Sequence, residues 1–136
     1  MNPNLTYVVD TNIIVENPSF YEILSKNHCG NISICIPFAV VKELDQLKTS
    51  GGKKGKNARE FIHLLDNMAN DELFRSGVQV SEKIIISLSN FDPCGESADQ
   101  KIIQTAKGIS GTPTLLTNDV NLRIQSRRCG LKAMGL

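Results

Sequence analysis

Apolar residues in this chain gather in short unbroken runs that stop at polar residues, with stripes of helical spacing between them. The first run, Leu5-Thr6-Tyr7-Val8-Val9, is rich in β-formers and ends at Asp10. It does not alternate polar with apolar, which suits a strand covered on both faces, as in a parallel sheet. Ile32-Ser33-Ile34-Cys35-Ile36 predicts a second strand and Ile84-Ile85-Ile86-Ser87-Leu88 a third. Thr114-Leu115-Leu116-Thr117 predicts a fourth, stopping at Asn118-Asp119, and a short fifth lies around Leu131 to Met134.

The stretches between them read as helices. Pro18-Ser19 opens one over Phe20 to Leu24, ending before Gly30. Val40, Val41, Leu44 and Leu47 recur at helical spacing behind Pro37, a residue favoured at the first helical position. Gly51-Gly52-Lys53-Lys54-Gly55-Lys56 predicts a flexible basic loop, after which Asn57 and Glu60 have the spacing of a capping box. Phe61, Ile62, Leu64, Leu65 and Met68 give that helix its apolar face, and Gly77 breaks it. Ser97 and Gln100 repeat the capping pattern before Ile102, Ile103 and Ala106, with a turn from Gly108 to Pro113. Leu122 and Ile124 lie in a last helix closed near Gly130. Strands alternating with helices predict an α/β fold with a mainly parallel sheet. Ligands of such sheets bind beyond the carboxyl ends of the strands, where strand order reverses.

Composition narrows the setting. A length of 136 residues predicts one domain. Hydrophobic residues at 40% and charged residues at 21% are ordinary for a folded protein and wrong for a disordered one. The formal net charge of +1 excludes a uniformly basic coat and an acidic tail, but not local patches. No apolar run approaches the roughly 20 residues that span a bilayer, so no membrane partner is expected. Met1-Asn2-Pro3-Asn4-Leu5-Thr6 lacks the charged and apolar regions of a signal peptide. Cys29, Cys35, Cys94 and Cys129 contain no CxxC pair and are expected to be reduced, buried thiols in a cytoplasmic protein. His28 and His63 lack metal-ligand spacing.

The candidate chemistry lies in carboxylates. Val9-Asp10-Thr11-Asn12 and Leu116-Thr117-Asn118-Asp119 each place an acid, with small hydrogen-bonding neighbours, at a strand's carboxyl end. If the two strands are neighbours, about 4.8 Å apart, both acids face one crevice. Glu43 lies two turns into the helix behind Pro37, and Asp99 in the first turn behind Ser97. Individually these residues have ordinary explanations: an Asx turn for Asp10, an N-cap for Asp119, a favourable helix start for Asp99, a solvated face for Glu43. Clustered, they would repel one another towards protonation unless a cation neutralised them. All-oxygen donors without His or Cys select a hard ion, Mg²⁺ or Mn²⁺, and such a site suits phosphodiester hydrolysis by a metal-activated water.

The ordered set of motifs resembles a PIN domain, the metal-dependent ribonuclease fold. It comprises Val9-Asp10-Thr11-Asn12, Ile36-Pro37 through Val41-Lys42-Glu43-Leu44-Asp45, Asp99 with Ile102, Thr105 and Ala106, and Leu116-Thr117-Asn118-Asp119. More narrowly, Asp10 to Ile14 with Asn17-Pro18, Glu43-Leu44-Asp45, Gly55-Lys56-Asn57-Ala58-Arg59-Glu60 and Leu64-Leu65-Asp66 resemble the N-terminal PIN domain of PhoH-like proteins. In those a P-loop ATPase domain normally follows. Here Gly51 to Asn57 lacks the Walker A spacing, so residues 1–136 read as one PIN domain, either excised or a stand-alone relative.

The resemblance implies a three-layer fold with a central parallel sheet, its strands in the order 3-2-1-4-5, flanked by helices. It implies a ribonuclease cleaving single-stranded RNA, with Asp10, Glu43, Asp99 and Asp119 as catalytic metal ligands. Asn12, Thr117 and Asn118 fall at small polar positions that hold ligand waters or orient the acids. Asp45 and Glu96 are extra acids without a sure counterpart, read as supporting rather than ligating. Lys53, Lys54 and Lys56, with Arg123 and Arg127, are the expected contacts to RNA phosphates. For Arg59, which follows the expected N-cap, pairing with Asp66 or another acid competes with RNA contact as the reading. A homodimer is a further expectation. A VapC-like toxin with its antitoxin, a non-catalytic RNA- or protein-binding module and a DNA flap nuclease are the rival readings.

Overall fold

The computed structural model describes residues 4–68 and 71–136. Met1 to Pro3, part of the stretch that lacks a signal-peptide pattern, lie outside it, as do Ala69 and Asn70 on the expected path from Met68 to Gly77. Among the described residues no helix is long and apolar enough to cross a membrane.

The expected strands form as β1 (Leu5–Val9), β2 (Ile32–Ile36), β4 (Ile84–Leu88), β5 (Thr114–Leu116) and β6 (Lys132–Met134). A two-residue strand the pattern did not announce, β3 (Val78–Gln79), pairs antiparallel with β4 at the sheet edge. The sheet order is β3-β4-β2-β1-β5-β6, and every other neighbouring pair is parallel. The parallel strands therefore stand in the expected 3-2-1-4-5 order. Ile32, Ile34 and Ile36 of β2 and Ile84 and Ile86 of β4 are buried. On the other face of those two strands Ser33, Cys35, Ile85 and Ser87 are only half-covered.

The helices are α1 (Thr11–Glu16), α2 (Phe20–Lys26), α3 (Phe38–Leu47), α4 (Gly52–Asn67), α5 (Ala98–Lys107) and α6 (Val120–Arg128). A 3₁₀ turn spans Asp71–Phe74. Helices α1, α3 and α4 pack together, while α5 packs on β1 and β5 and touches α3. Phe20 and Phe61, both fully buried, meet with ring centroids 6.0 Å apart and lock α2 to α4.

Five expectations are corrected. Pro37 is the N-cap of α3, not its first helical residue. Gly51 to Lys56 is not a loop: α4 begins at Gly52, so Lys53, Lys54 and Lys56 ride on its first turns. Asn57, expected as an N-cap, is buried inside α4 and donates its side-chain amide to the Val15 carbonyl at 2.7 Å, satisfying the end of α1. Among the described residues Arg59 pairs with no acid; it donates to the carbonyls of Lys48 and Ser50, at 2.7 and 3.3 Å, and so closes the end of α3. The Gly55-Lys56-Asn57-Ala58-Arg59 motif is thus a fastener between helices. The cysteines are free thiols as expected, but Cys29, Cys94 and Cys129 are exposed. Cys35 alone is largely covered, and burial pushes its thiol up to about 11.

Candidate active site

The β1–β5 pairing sets the register of the site. Val9 lies opposite Leu116, and the Asp10 amide donates to the Leu116 carbonyl at 2.9 Å, so Asp10 and Thr117 emerge side by side beyond the strands. Asp10 also caps α1. Its Oδ1 accepts from the Thr11 amide at 2.7 Å, and its Oδ2 accepts from the Thr117 hydroxyl at 2.7 Å and the Asn12 amide group at 3.0 Å. The buried Thr117 hydroxyl accepts in turn from the Asp119 backbone at 3.1 Å. Asn12 Oδ1 receives the Asn118 backbone amide at 3.1 Å, and Asn118 Oδ1 receives that of Leu136 at 2.9 Å. Asn12, Thr117 and Asn118 therefore form a hydrogen-bonded frame across the two strand ends.

Asp119 caps α6 through its Oδ1, which accepts from Asn121 and Leu122 at 2.9 and 3.4 Å. Asp99 enters from the first turn of α5, whose start is capped by Ser97 bonded to the Gln100 amide. Glu43 enters from the second turn of α3. These acids line one cleft of about 250 Å³ with Thr11, Asn12, Val15, Leu47 and Lys54. A larger groove of about 450 Å³, lined by Phe38, Val41, Ile62, Leu73 and Phe74, lies elsewhere and is mainly apolar.

Burial is the main force that raises the Asp10 carboxyl, with the charges of Asp99 and Asp119 adding to it; the bonds from Thr117 and Thr11 oppose the rise. Burial also raises Glu43, assisted by Asp10 and Asp99 and opposed by the nearby Thr11 hydroxyl. That hydroxyl closes no hydrogen bond of full geometry, the one such buried side-chain atom among the described residues. Burial and then Asp119 raise Asp99. The donors are thus hard oxygens that resist sharing one small space as anions. No three of them form a ready-made cage among the described residues. An ion that binds through few carboxylates and keeps several waters, as Mg²⁺ does, fits such a set.

A pH dependence follows. An acid whose folded pKa lies above its unfolded value binds more protons when folded, so stability falls as pH rises through that window. For Asp10, Glu43 and Asp99 the window opens at their ordinary values, 3.8 to 4.5, and extends upward. Above it their ionised forms destabilise the metal-free fold, and a divalent ion should offset that cost. Calorimetry should show Mn²⁺ raising the melting temperature at pH 7.5 by several degrees and hardly at all at pH 4.5. An equal shift at both values would detach the stabilisation from these carboxyls.

The structure distributes the expected RNA contacts. Lys54 lines the acidic cleft, whereas Lys53 is 3.6 Å from Glu16 and Lys56 is exposed on α4. Arg123 donates to the Thr117 carbonyl at 2.8 Å and Arg127 to the Ala133 carbonyl at 3.0 Å, so both fasten the β5–α6–β6 corner. Asp45 pairs with Lys48 on its own helix at 2.6 Å, and Glu96 is exposed. Neither lines the cleft. The sequence reading missed Val15 and Leu47 as apolar walls, and no local pattern could have shown them.

A family model described as the PIN domain matches residues 7–136. Protein PhoH2 of Bacillus subtilis (strain 168) is 26% identical, over 93% of this chain and 32% of its own length. The chain therefore spans about a third of that curated relative. A domain of a functionally unknown protein from Methanocaldococcus jannaschii DSM 2661 shares the fold, with a TM-score of 0.69 at 23% identity, covering 97% of this chain and 91% of that one. VapBC2 from Rickettsia felis, solved with a promoter DNA fragment, aligns at a TM-score of 0.46 and 18% identity, too distant to bear on the site. With the sheet in the expected order and the family model matching from Tyr7 to the last residue, this chain belongs to the PIN-domain family.

Proposed function

We propose that the chain is a divalent-metal-dependent ribonuclease acting on single-stranded RNA. PIN domains are typically nucleases and typically use divalent metals. What supports the finer reading here is one observation: Asp10, Glu43, Asp99 and Asp119, from four separate elements, line a single cleft at the carboxyl ends of β1 and β5.

Those acids would hold the ion. A bound Mg²⁺ or Mn²⁺ supplies Lewis acidity, lowering the pKa of a water and neutralising phosphate charge. Asp10 is the most constrained of the acids, since backbone and side-chain donors fix both of its oxygens. Its fixed rotamer keeps negative charge at the strand ends with little reorganisation on binding. Burial raises the Glu43 and Asp99 carboxyls, and a bound cation would oppose that rise and favour their ionised forms. Lys54 on the rim meets a phosphate oxygen and orients the backbone of the substrate. Val15 and Leu47 thin the water around the acids, which strengthens each charge interaction.

The test is a Mn²⁺ titration with single-stranded RNA and flap DNA in parallel, with Asp119→Asn as control. RNA cleavage that needs the metal and falls at least about tenfold in the control supports the assignment. Metal-independent cleavage that survives the substitution unchanged would identify a contaminant and end it. Preference for the flap substrate would move the protein to a different nuclease class.

A further inference from the structure

Two of the four acids sit on helices that face each other across a crevice. Glu43 is on α3 and Asp99 on α5, and a crevice of about 230 Å³ lined by Ala39, Lys42, Glu43, Gln46, Ala98 and Lys101 separates the helices. Ala39 and Ala98 are small, so no large apolar side chains interdigitate there to set a distance. One group spans the gap. Asp92, in the segment between β4 and α5, accepts from Lys42 of α3 through Oδ2 at 2.5 Å and from Lys101 of α5 through Oδ1 at 2.7 Å. The segment is itself tied to the sheet, because the Ser89 amide donates to the Ile36 carbonyl at 3.0 Å. Lys42 immediately precedes Glu43, and Lys101 lies two residues beyond Asp99.

We propose that Asp92 is a positioning residue for the acidic cleft. By holding Lys42 and Lys101 at once it sets the separation of α3 and α5, and with it that of Glu43 and Asp99. The inference rests on the metal-dependent reading above. Lys42 is exposed and Asp92 and Lys101 are half-buried, and ion pairs this open to solvent add little to stability, so the bridge is expected to matter for geometry more than for folding. Residues that orient metal ligands commonly change metal affinity by 10–100-fold when removed.

Through-space charge gives a competing account, and the lysine separates the two. Removing Lys101 deletes a positive charge beside the cleft, so a pure field effect would tighten cation binding. Loss of the bridge would weaken it. Mn²⁺ is titrated into the whole chain by calorimetry for the wild type, Asp92→Ala, Lys101→Met and Glu82→Gln. Glu82 is exposed and outside the cleft, and its substitution changes net charge as Asp92→Ala does. The expected result is about tenfold weaker binding in both Asp92→Ala and Lys101→Met, wild-type binding in Glu82→Gln, and melting temperatures close to wild type throughout. Tighter binding in Lys101→Met, or wild-type binding in Asp92→Ala, would overturn the positioning role while leaving the metal site standing. A wild-type chain that binds no Mn²⁺ would overturn both.

Discussion

Replacing Asp10 with asparagine should reduce metal-dependent RNA cleavage at least about 100-fold without unfolding the protein. The substitution keeps the shape of the side chain and removes one charge. Its remaining oxygen can still cap α1 through the Thr11 amide, as Oδ1 does at 2.7 Å. The new NH₂ group, however, faces the Thr117 hydroxyl and the Asn12 amide, both donors to Oδ2. Asparagine therefore loses part of the frame as well as the charge. Against that loss stands relief: Asp10 is buried and is raised by burial and by Asp99 and Asp119. The two effects oppose each other in stability and reinforce each other in activity. Initial rates on single-stranded RNA in Mn²⁺, with melting curves in metal-free buffer at pH 7.5, check both parts. The melting temperature should stay within a few degrees of wild type, and the Mn²⁺-induced rise should vanish. Wild-type rates in a clean preparation would remove Asp10 from the site.

Gly55→Ala should destabilise the fold by about 3 kcal/mol. A glycine inside a helix is normally a cost of about 1 kcal/mol relative to alanine, so the bare propensity argument predicts a gain. The gain is overridden because a Cβ at Gly55 would lie 1.8 Å from the Ser50 carbonyl oxygen and 2.7 Å from its carbon. Those are backbone atoms and cannot swing aside, so the α3–α4 connection or the start of α4 must move. Lys54 is the preceding residue and lines the cleft, so RNA cleavage should fall with stability. Urea unfolding measures the first effect. Gly108→Ala is the control, since its Cβ would meet only ordinary contacts at 3.5 and 3.6 Å and should change stability by less than about 1 kcal/mol. A neutral Gly55→Ala would mean that the helix start yields easily.

The α4 boundary shows why local reading failed where it did. Gly51 to Lys56 has three glycines and no apolar stripe, and Asn57 with Glu60 has the spacing of a helix start. Nothing local says that Gly55 lies under Ser50, that Asn57 satisfies Val15, or that Arg59 closes α3. Those partners are 5 to 42 residues away, and they become neighbours only when α1, α3 and α4 pack. Helix α1 was missed for a related reason. Ile13, Ile14 and Val15 are β-branched, and the helix is fixed by the Asp10 cap and by burial rather than by propensity.

The sequence by itself determined the parallel strands, their polar stops and the acids at their ends. A strand's apolar run and a helix cap are short-range signals, written in consecutive residues. The ordered motifs added the family and, through it, the strand order that brings Asp10 beside Thr117. Only the tertiary structure decided which basic residues are free to meet a phosphate and which are already spent on carbonyls, as Arg59, Arg123 and Arg127 are. It alone placed Asp92 between Lys42 and Lys101. A charge's role depends on what lies within a few ångströms of it, and for long side chains on separate helices that distance is set by packing.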